Sequence, residues 1–230
     1  LNEMNANGVD RVVVQPNHRP LGDVWRVQST DAIWGEIGAI CSRLIPLVYG
    51  FDPDLTNSWE YVRDTLATGT YGGVGEIEFQ HGTFDLNRDP DSTSLQRIYR
   101  LLEAEGLAVH FQAMLKTNPS LTEKLLRMVS NKPGLNFVWF GNSFAAEFAT
   151  LPNLFGETFL NRPVLRSHDK LAKSLIGSDS SPAGFDNPSI TYDNFGQAMA
   201  QIRQRLSELP KTVADALAHG NFNKIWPKDS

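Results

Sequence analysis

The sequence predicts a parallel α/β fold, and within that class a TIM-type (β/α) barrel with seven visible strands. Seven short apolar runs recur along the 230 residues, and segments with a helical period of about 3.6 residues separate them. Strands that alternate with helices form parallel βαβ units. The glycine fingerprint that follows the first strand of a dinucleotide-binding open sheet is absent, which favours a barrel over a doubly wound sheet.

The predicted strands are short runs rich in β-branched and aromatic residues. They cover 11–15, 44–49, 73–79, 107–111, 136–140, 153–158 and 174–178. A closed parallel barrel has about eight strands, and the chain opens at Leu1 on a helical segment. We therefore expect the first strand of the barrel to precede Leu1. No internal repeat or linker divides the chain, so we expect one domain over 1–230.

Apolar residues at helical spacing predict which helix faces cover the sheet. One stripe lies between the first two strands, at Ile33, Ile37, Ile40, Cys41 and Leu44. A second stripe lies between the third and fourth strands, at Leu95, Ile98, Leu101 and Leu102. Asp91 or Ser92 is expected to cap this second helix, and Gly106 to end it.

Composition excludes several classes of protein. The net charge of −5 argues against nucleic acid as a partner, and no apolar run approaches the roughly 18 residues of a membrane span. Cys41 is the single cysteine, which excludes an intrachain disulfide and a Cys-rich zinc site. We expect a cytoplasmic protein with a small-molecule substrate. Open strand edges of an incomplete barrel make a homo-oligomer possible.

Acidic and imidazole side chains fall where a barrel binds its ligands, at the carboxyl ends of the strands. On the third strand, strict alternation places Val74, Glu76 and Glu78 on one face, directed into the barrel. His110 lies near the end of the fourth strand, and Asp179 follows the last. Buried acids are costly unless they are paired, protonated or metal-bound, and a neutral imidazole is a good metal ligand. The pattern makes His110 a candidate metal ligand or general base, Asp179 a candidate ligand that accepts the proton of a metal-bound water, and Glu76 or Glu78 a candidate metal-bound acid.

Each of these residues also has a purely structural explanation. A buried glutamate can pair with an arginine, His110 can be a hydrogen-bonded core histidine, and Asp179 can cap the loop that follows it. Their convergence on one mouth of the barrel favours a catalytic or metal-binding site over these structural explanations. Further side chains near the same strand ends are expected to contact substrate: Glu78, His81, Asn142 and Ser178.

The order of these motifs resembles the amidohydrolase-related metal-dependent hydrolases, the amidohydrolase superfamily. The resemblance rests on GVDRVVV at 8–14, GEIE at 75–78, EGLAVH at 105–110, LPNLF at 151–155, LIGSDSSP at 175–182 and HGNFNKIW at 219–226. It implies one or two divalent metals, zinc foremost, with manganese or iron as alternatives. It also implies His110 as a ligand, Asp179 as a ligand or proton acceptor, and Glu76 or Glu78 in the place of the fourth-strand acid.

Two positions depart from the family. The histidine–any–histidine pair of the family's opening strand is absent from this sequence, and Gly141 or Asn142 stands where the family has a metal-site histidine. Three functions therefore remain open. The first is a metal-dependent hydrolase that cleaves a small amide, ester or lactone with a metal-activated water. The second is a catalytically inactive barrel that binds a small ligand. The third is a decarboxylase or lyase, with Arg19 or Lys116 meeting an acidic substrate.

Overall fold

The computed structural model describes residues 1–15, 24–80, 88–113, 119–140, 150–158, 168–177 and 195–228. The chain divides into two compact units, Arg11–Leu154 and Leu1–Asp10 together with Phe155–Ser230. The single domain expected from the sequence stays a prediction, and each unit is described by itself.

Seven strands lie in the described residues, each within or overlapping one of the predicted runs. They are β1 (Val12–Val14), β2 (Leu44–Val48), β3 (Gly73–Gln80), β4 (Ala108–Ala113), β5 (Asn136–Phe140), β6 (Leu154–Thr158) and β7 (Ser174–Ile176). The helices are α1 (Asn2–Ala6), α2 (Val24–Ile40), α3 (Ser58–Leu66), α4 (Thr93–Glu105), α5 (Pro119–Ser130), α6 (His168–Leu171), α7 (Phe195–Ser207), α8 (Lys211–Asp215) and α9 (Asn221–Ile225), with a π-helical turn over Ala216–Gly220.

In the unit Arg11–Leu154, strands β1 to β5 pair in sequence order and every pairing is parallel. The prediction of parallel βαβ units is therefore confirmed. Because these pairings are all parallel, the carboxyl ends of the five strands lie at one edge of the sheet. Side chains at that edge come from distant parts of the sequence.

Helix α4 forms as its sequence predicts. The Ser92 hydroxyl accepts a hydrogen bond from the main-chain N–H of Leu95 at 3.3 Å, which satisfies a donor of the first turn. Gly106 ends the helix in the left-handed conformation, with φ +67°. The predicted apolar face is buried against the sheet, with Leu95, Ile98 and Leu102 inaccessible to solvent.

The core of this unit is a chain of aromatic rings that joins α4 to three strands. Phe79 packs edge-on against Phe111 with ring centres 5.8 Å apart, Phe111 against Phe137 at 6.3 Å, and Phe137 against Tyr99 at 6.0 Å. Each edge-on pair contributes about 0.5–1.5 kcal/mol beyond area burial. The rings fix the lateral spacing of β3, β4 and β5, which carry the candidate site.

The predicted packing face of α2 is wrong. Ile33 and Ile40, the ends of the proposed apolar stripe on this helix, are 54% and 86% exposed. The helix instead packs through Gly35 and Gly38. A Cβ at Gly35 would overlap the phenol of Tyr71, and one at Gly38 would lie 2.9 Å from a proline ring of β2. Close approach of the backbone, which glycine permits, decided the packing face over apolar periodicity.

In the second unit, β6 and β7 pair in parallel. Buried apolar side chains of α6, α7, α8 and the π-helical turn form a small core, made by Leu171, Ile202, Val213 and Leu217. The Asn221 amide donates to the carbonyl oxygens of Ala172 at 2.9 Å and Ser174 at 2.8 Å, so α9 is tied to the start of β7. Among the described residues, no helix combines the length and apolarity that a bilayer crossing requires.

Candidate functional site

A bulge in β3 sets which of its side chains face the site. Val74 pairs with Val109, but Ile77 pairs with Phe111, so β3 uses one more residue than β4 between these points. The alternation predicted for β3 is therefore wrong for Val74, which lies with Ile77 on the core side. Beyond the bulge, Glu78 is in register with Gln112.

Glycine at position 75 allows β3 to approach β4 closely at His110. Gly75 has φ +151°, and a Cβ there would lie 2.5 Å from the His110 Cβ and 2.7 Å from the His110 carbonyl oxygen. Any side chain at this position would push the two strands apart. The GEIE sequence therefore brings a carboxylate-bearing strand up against the histidine.

Gln15 bridges Glu76 and His110. Its Nε2 donates to the Glu76 Oε2 at 3.2 Å, and its Oε1 lies 3.1 Å from the His110 Nδ1. Because the amide nitrogen donates to the carboxylate, the amide oxygen accepts from the imidazole. Nδ1 therefore carries a proton, and in the neutral form of the ring the lone pair lies on Nε2.

Gln15 is a site residue that sequence reasoning missed. It directly follows β1, and its amide contacts Glu76 and His110 within β3 and β4 and not at their carboxyl ends. The prediction that His110 lies near the end of its strand is therefore wrong, because β4 continues to Ala113. The signal for Gln15 was its position, one residue after the first strand. A lone glutamine carries no charge and titrates at no pH, so no charge pattern marked it.

Glu78 is 9% exposed, and the Oε2 of its carboxylate has no hydrogen-bond partner among the described residues. Burial raises its pKa, while the positive charge of Arg88 opposes the rise. Arg88 does not form the simple glutamate–arginine pair that was one expectation. Its Nη1 donates to the main-chain oxygen of Glu78 at 3.3 Å, and its other nitrogens lie 3.2 Å from Asp54 and 3.6 Å from Asp52.

A buried carboxylate on α2 fixes the carboxyl end of β2. Asp31 accepts hydrogen bonds from the main-chain N–H of Tyr49 at 3.1 Å, from that of Gly50 at 2.7 Å and from the Tyr61 hydroxyl at 2.8 Å. Burial raises the pKa of Asp31, and these hydrogen bonds oppose the rise. Sequence reasoning missed this residue too, although an aspartate inside an apolar helical stretch is itself a signal of a specific partner.

The phenol of Tyr49 lies in the electrostatic field of the site carboxylates. Burial raises its pKa most, followed by the negative charges of Glu78 and Glu76. The phenol therefore stays protonated and can act as a hydrogen-bond donor at neutral pH. Tyr49 directly follows β2 in the sequence.

The structure thus places Glu76 and His110 together through Gln15, and Glu78 on the same strand as Glu76. Their catalytic and ligand roles stay predictions. Four other predicted site residues lie outside the described residues: Asp179, His81, Asn142 and Ser178.

The described side chains supply part of a metal-binding set. The His110 imidazole and the Glu76 carboxylate are donors that suit zinc, manganese or iron, and an imidazole held by a hydrogen bond on its other nitrogen is the usual form of a metal ligand. No group of three potential ligands lies together within the part of the chain that the structure describes. A complete site would need further donors.

A scan against protein-family models finds no match for this sequence, and a search of curated proteins finds none either. Similarity appears in comparisons of structure. An uncharacterized TIM-barrel protein from Bordetella bronchiseptica matches with a TM-score of 0.63 at 14% identity, over 99% of this chain and 81% of that one. The chain has the TIM-barrel fold.

Enzymes of several kinds share this fold with the chain. A 4-oxalomesaconate hydratase from Rhodopseudomonas palustris matches with a TM-score of 0.65 at 12% identity, over 99% of this chain and 79% of that one. A putative amidohydrolase from Staphylococcus aureus matches with a TM-score of 0.64 at 10% identity, over 97% and 89%. Further matches include a 2,6-dihydroxybenzoate decarboxylase from Rhizobium, a probable 2-pyrone-4,6-dicarboxylic acid hydrolase from Acinetobacter baumannii, and a manganese-bound dihydroxybenzoic acid decarboxylase from Polaromonas.

Proposed function

We propose that this chain is an enzyme of the amidohydrolase type that hydrolyses a small carbonyl substrate. The observation that carries the proposal is the hydrogen-bonded series Glu76–Gln15–His110, which joins the residue directly after β1 to side chains within β3 and β4. A structural histidine needs one partner; this one is held in a single tautomer by a neutral amide that is itself oriented by a carboxylate.

The series gives each member a chemical task. The Gln15 oxygen fixes a proton on Nδ1 of His110, so in the neutral imidazole Nε2 is the nitrogen that would take a proton from water or hold a cation. The Glu76 carboxylate orients the Gln15 amide and places negative charge near the imidazole, which stabilises a positive charge that develops on the ring. Glu78 supplies a second carboxyl group on the same strand.

A divalent cation is the cofactor that this chemistry suits. His110 and Glu76 would hold it, with further donors from residues such as Asp179, which remains the expected proton acceptor. When bound, such a cation polarises a carbonyl group and makes a neighbouring water more acidic. The manganese in the Polaromonas decarboxylase supports the choice of a divalent ion.

Decarboxylation of a small aromatic or enolic acid is the second candidate. Decarboxylases stand among the structural matches beside the hydratase and the hydrolase. Both reactions act on a small molecule that carries a carbonyl or carboxyl group, so the two candidates predict a similar substrate size and differ in the bond that breaks.

A substrate panel separates these candidates. Purified protein with added manganese or zinc would be incubated with a pyrone lactone, an aryl ester, an anilide and 2,6-dihydroxybenzoate. Proton release would report hydrolysis, and evolved carbon dioxide would report decarboxylation. We expect hydrolysis, reduced about 100-fold or more in His110→Ala and unchanged in His219→Ala, which alters an exposed histidine in the other unit.

Asp179→Ala is expected to abolish the same turnover while its circular dichroism spectrum stays that of the wild type. Hydrolysis that survives both His110→Ala and Asp179→Ala would refute the proposal. Carbon dioxide from the aromatic acid, with no hydrolysis elsewhere, would establish the second candidate. Absence of any turnover would favour the inactive, ligand-binding barrel.

A further inference from the structure

Three neighbouring strands place a carboxylate, an amide and an aromatic ring in one row near their carboxyl ends. Glu78 of β3 is in register with Gln112 of β4, and Gln112 is in register with Phe140 of β5. Gln112 lies one residue before the end of β4, and Phe140 ends β5. Neighbouring strands are about 4.7–4.9 Å apart, so these three residues, the carboxyl-edge row, are adjacent. A parallel barrel binds its ligands at this edge of the sheet.

The residues that precede the carboxyl-edge row show which face of the sheet the row occupies. They are in register with one another and are buried in the hydrophobic core: Ile77, Phe111 and Trp139. Because successive side chains of a strand point to opposite faces, the row points away from that core. His110 lies two residues before Gln112 on β4, so it shares this face at a distance of about 7 Å along the strand.

The two polar members of the row are buried, and one of their acceptor atoms is unsatisfied. Glu78 is 9% exposed and Gln112 is 4% exposed. Oε2 of the Glu78 carboxylate has no hydrogen-bond partner among the described residues, so the neighbouring Gln112 amide does not donate to it. A buried polar atom without a partner is destabilising. A ligand that supplies the missing donor explains such an atom at the ligand-binding edge of a barrel.

Arg88 supplies positive charge near Glu78 but no donor to the unsatisfied oxygen. Its guanidinium donates to the main-chain oxygen of Glu78 at 3.3 Å and lies 3.2 Å from Asp54 and 3.6 Å from Asp52. The charge of this guanidinium still acts on the Glu78 carboxyl group. A cationic ligand group at Glu78 would be repelled by Arg88, which favours a neutral hydrogen-bond donor.

We propose that Glu78 and Gln112 form a subsite for the amide edge of a small cyclic substrate, where an N–H group stands beside a carbonyl group. The ligand N–H donates to Oε2 of Glu78, and the ligand carbonyl oxygen accepts from Nε2 of Gln112. Phe140, the next member of the row, provides an aromatic side chain for the carbon atoms of the ring.

The amide edge indicates a ring, because the secondary amide of an open chain is trans and has its N–H and carbonyl groups on opposite sides. A cyclic amide is held in the cis form, with both groups on one edge. The inference rests on the proposed function for the reaction at His110. It narrows the small carbonyl substrate to one that carries this edge beside the carbonyl group that reacts.

Titration of isosteric probe pairs, followed by the NMR signals of the probe, tests the subsite without turnover. One pair is 2-piperidone and cyclohexanone; the other is 2-pyrrolidinone and cyclopentanone. Within each pair a CH2 group replaces the N–H group, while the ring size and the carbonyl group stay the same. We expect the wild type to bind at least one lactam about tenfold more tightly than its ketone, because the ketone leaves Oε2 of Glu78 unpaired.

The two polar side chains have separable effects on these affinities. Glu78→Leu removes the acceptor for the N–H group, so most of the preference for the lactam should be lost. Gln112→Leu removes the donor to the carbonyl group, which both probes carry, so both should bind about tenfold less tightly while most of the preference persists. Glu78→Gln keeps an acceptor oxygen and should retain part of the preference. Glu60→Leu alters an exposed glutamate of α3 and should match the wild type.

Equal affinity for both members of each pair, no binding of any probe, or an unchanged preference in Glu78→Leu would overturn the proposal. Tighter binding of 2-iminopiperidine, a cationic amidine with the ring of 2-piperidone, would overturn it too, because the subsite would then select charge. If Glu78→Leu fails to fold, unchanged affinities in Gln112→Leu overturn the proposal instead. Because binding is measured without a reaction, a failed subsite is distinguishable from a failed hydrolase, which the panel of substrates reports separately.

Discussion

Replacing Gly75 with alanine tests whether the close approach of β3 to His110 builds the site. The added Cβ would lie 2.5 Å from the Cβ of His110, whereas ordinary contacts of this kind are 3.4–4 Å. The strands must therefore separate by about 1 Å at this point, and interdigitated cores lose about 1–3 kcal/mol when they are overfilled. The backbone at φ +151°, a region populated essentially by glycine, adds a further conformational cost of about 1–3 kcal/mol for a residue with a Cβ.

Gly69→Ala is the matched control. Gly69 also has a positive φ, of +74°, but nothing lies within 4 Å of the position of its Cβ. This variant is expected to lose only the conformational term of about 1–2 kcal/mol. The excess loss in Gly75→Ala then combines the cost of moving β3 away from β4, about 1–3 kcal/mol, with the larger backbone strain at φ +151°.

Urea unfolding followed by circular dichroism measures both losses. The slope of the free energy of unfolding against urea concentration should match the wild type in both variants, so that the midpoints report stability. A nitrogen-15 spectrum of His110 supplies a second readout, because loss of the Gln15 contact shifts the Nδ1 signal in Gly75→Ala alone. Equal destabilisation of the two variants, with an unchanged His110 spectrum, would refute the reasoning.

Three further predictions concern buried polar groups. Burial raises the pKa of Asp31 above its ordinary 3.8, so the folded state binds the proton more tightly than the unfolded state. The stability of the wild type should therefore fall relative to that of Asp31→Asn as pH rises from about 3 to 6. A rise in relative stability over this range would contradict the prediction. The Tyr99 hydroxyl is buried with no hydrogen-bond partner among the described residues, so Tyr99→Phe should unfold at an equal or higher urea concentration than the wild type. Tyr71→Phe loses a 2.6 Å hydrogen bond and should be less stable by about 1 kcal/mol. Equal losses of stability in the two variants would contradict this prediction. The Asn153 amide contacts three carbonyl oxygens at 2.8–3.2 Å, and Asn153→Ala leaves them without this donor. Thermal unfolding should show a loss of stability of about 1–3 kcal/mol in this variant. An unchanged stability would contradict the prediction.

Local signals in the sequence were sufficient for the strands and for α4. A capping serine, a left-handed glycine and an apolar face each act within about one or two turns, and all three are present around α4. The packing face of α2 was not predictable in this way. Its glycines fit against Tyr71 and a proline of β2, so the decisive contacts are made with residues that follow the helix in sequence.

The candidate site was predictable in its charged residues and not in the residue that joins them. Glu76, Glu78 and His110 stood out because buried charge and imidazole at strand ends demand an explanation. Gln15 bears no charge, and its hydrogen-bond partners Glu76 and His110 lie 61 and 95 residues away in the sequence. The bulge in β3 was also not predictable, because the alternation of side chains along a strand assumes a regular register between neighbouring strands.

The comparison of wild-type and His110→Ala turnover on the lactone, ester and anilide panel tests the central claim most directly. The account predicts that the wild type hydrolyses at least one of these substrates and that His110→Ala loses about 100-fold or more of that rate, while its circular dichroism spectrum stays that of the wild type. Hydrolysis at the same rate in both proteins would contradict the account, because the imidazole oriented by Gln15 and Glu76 would then take no part in the reaction.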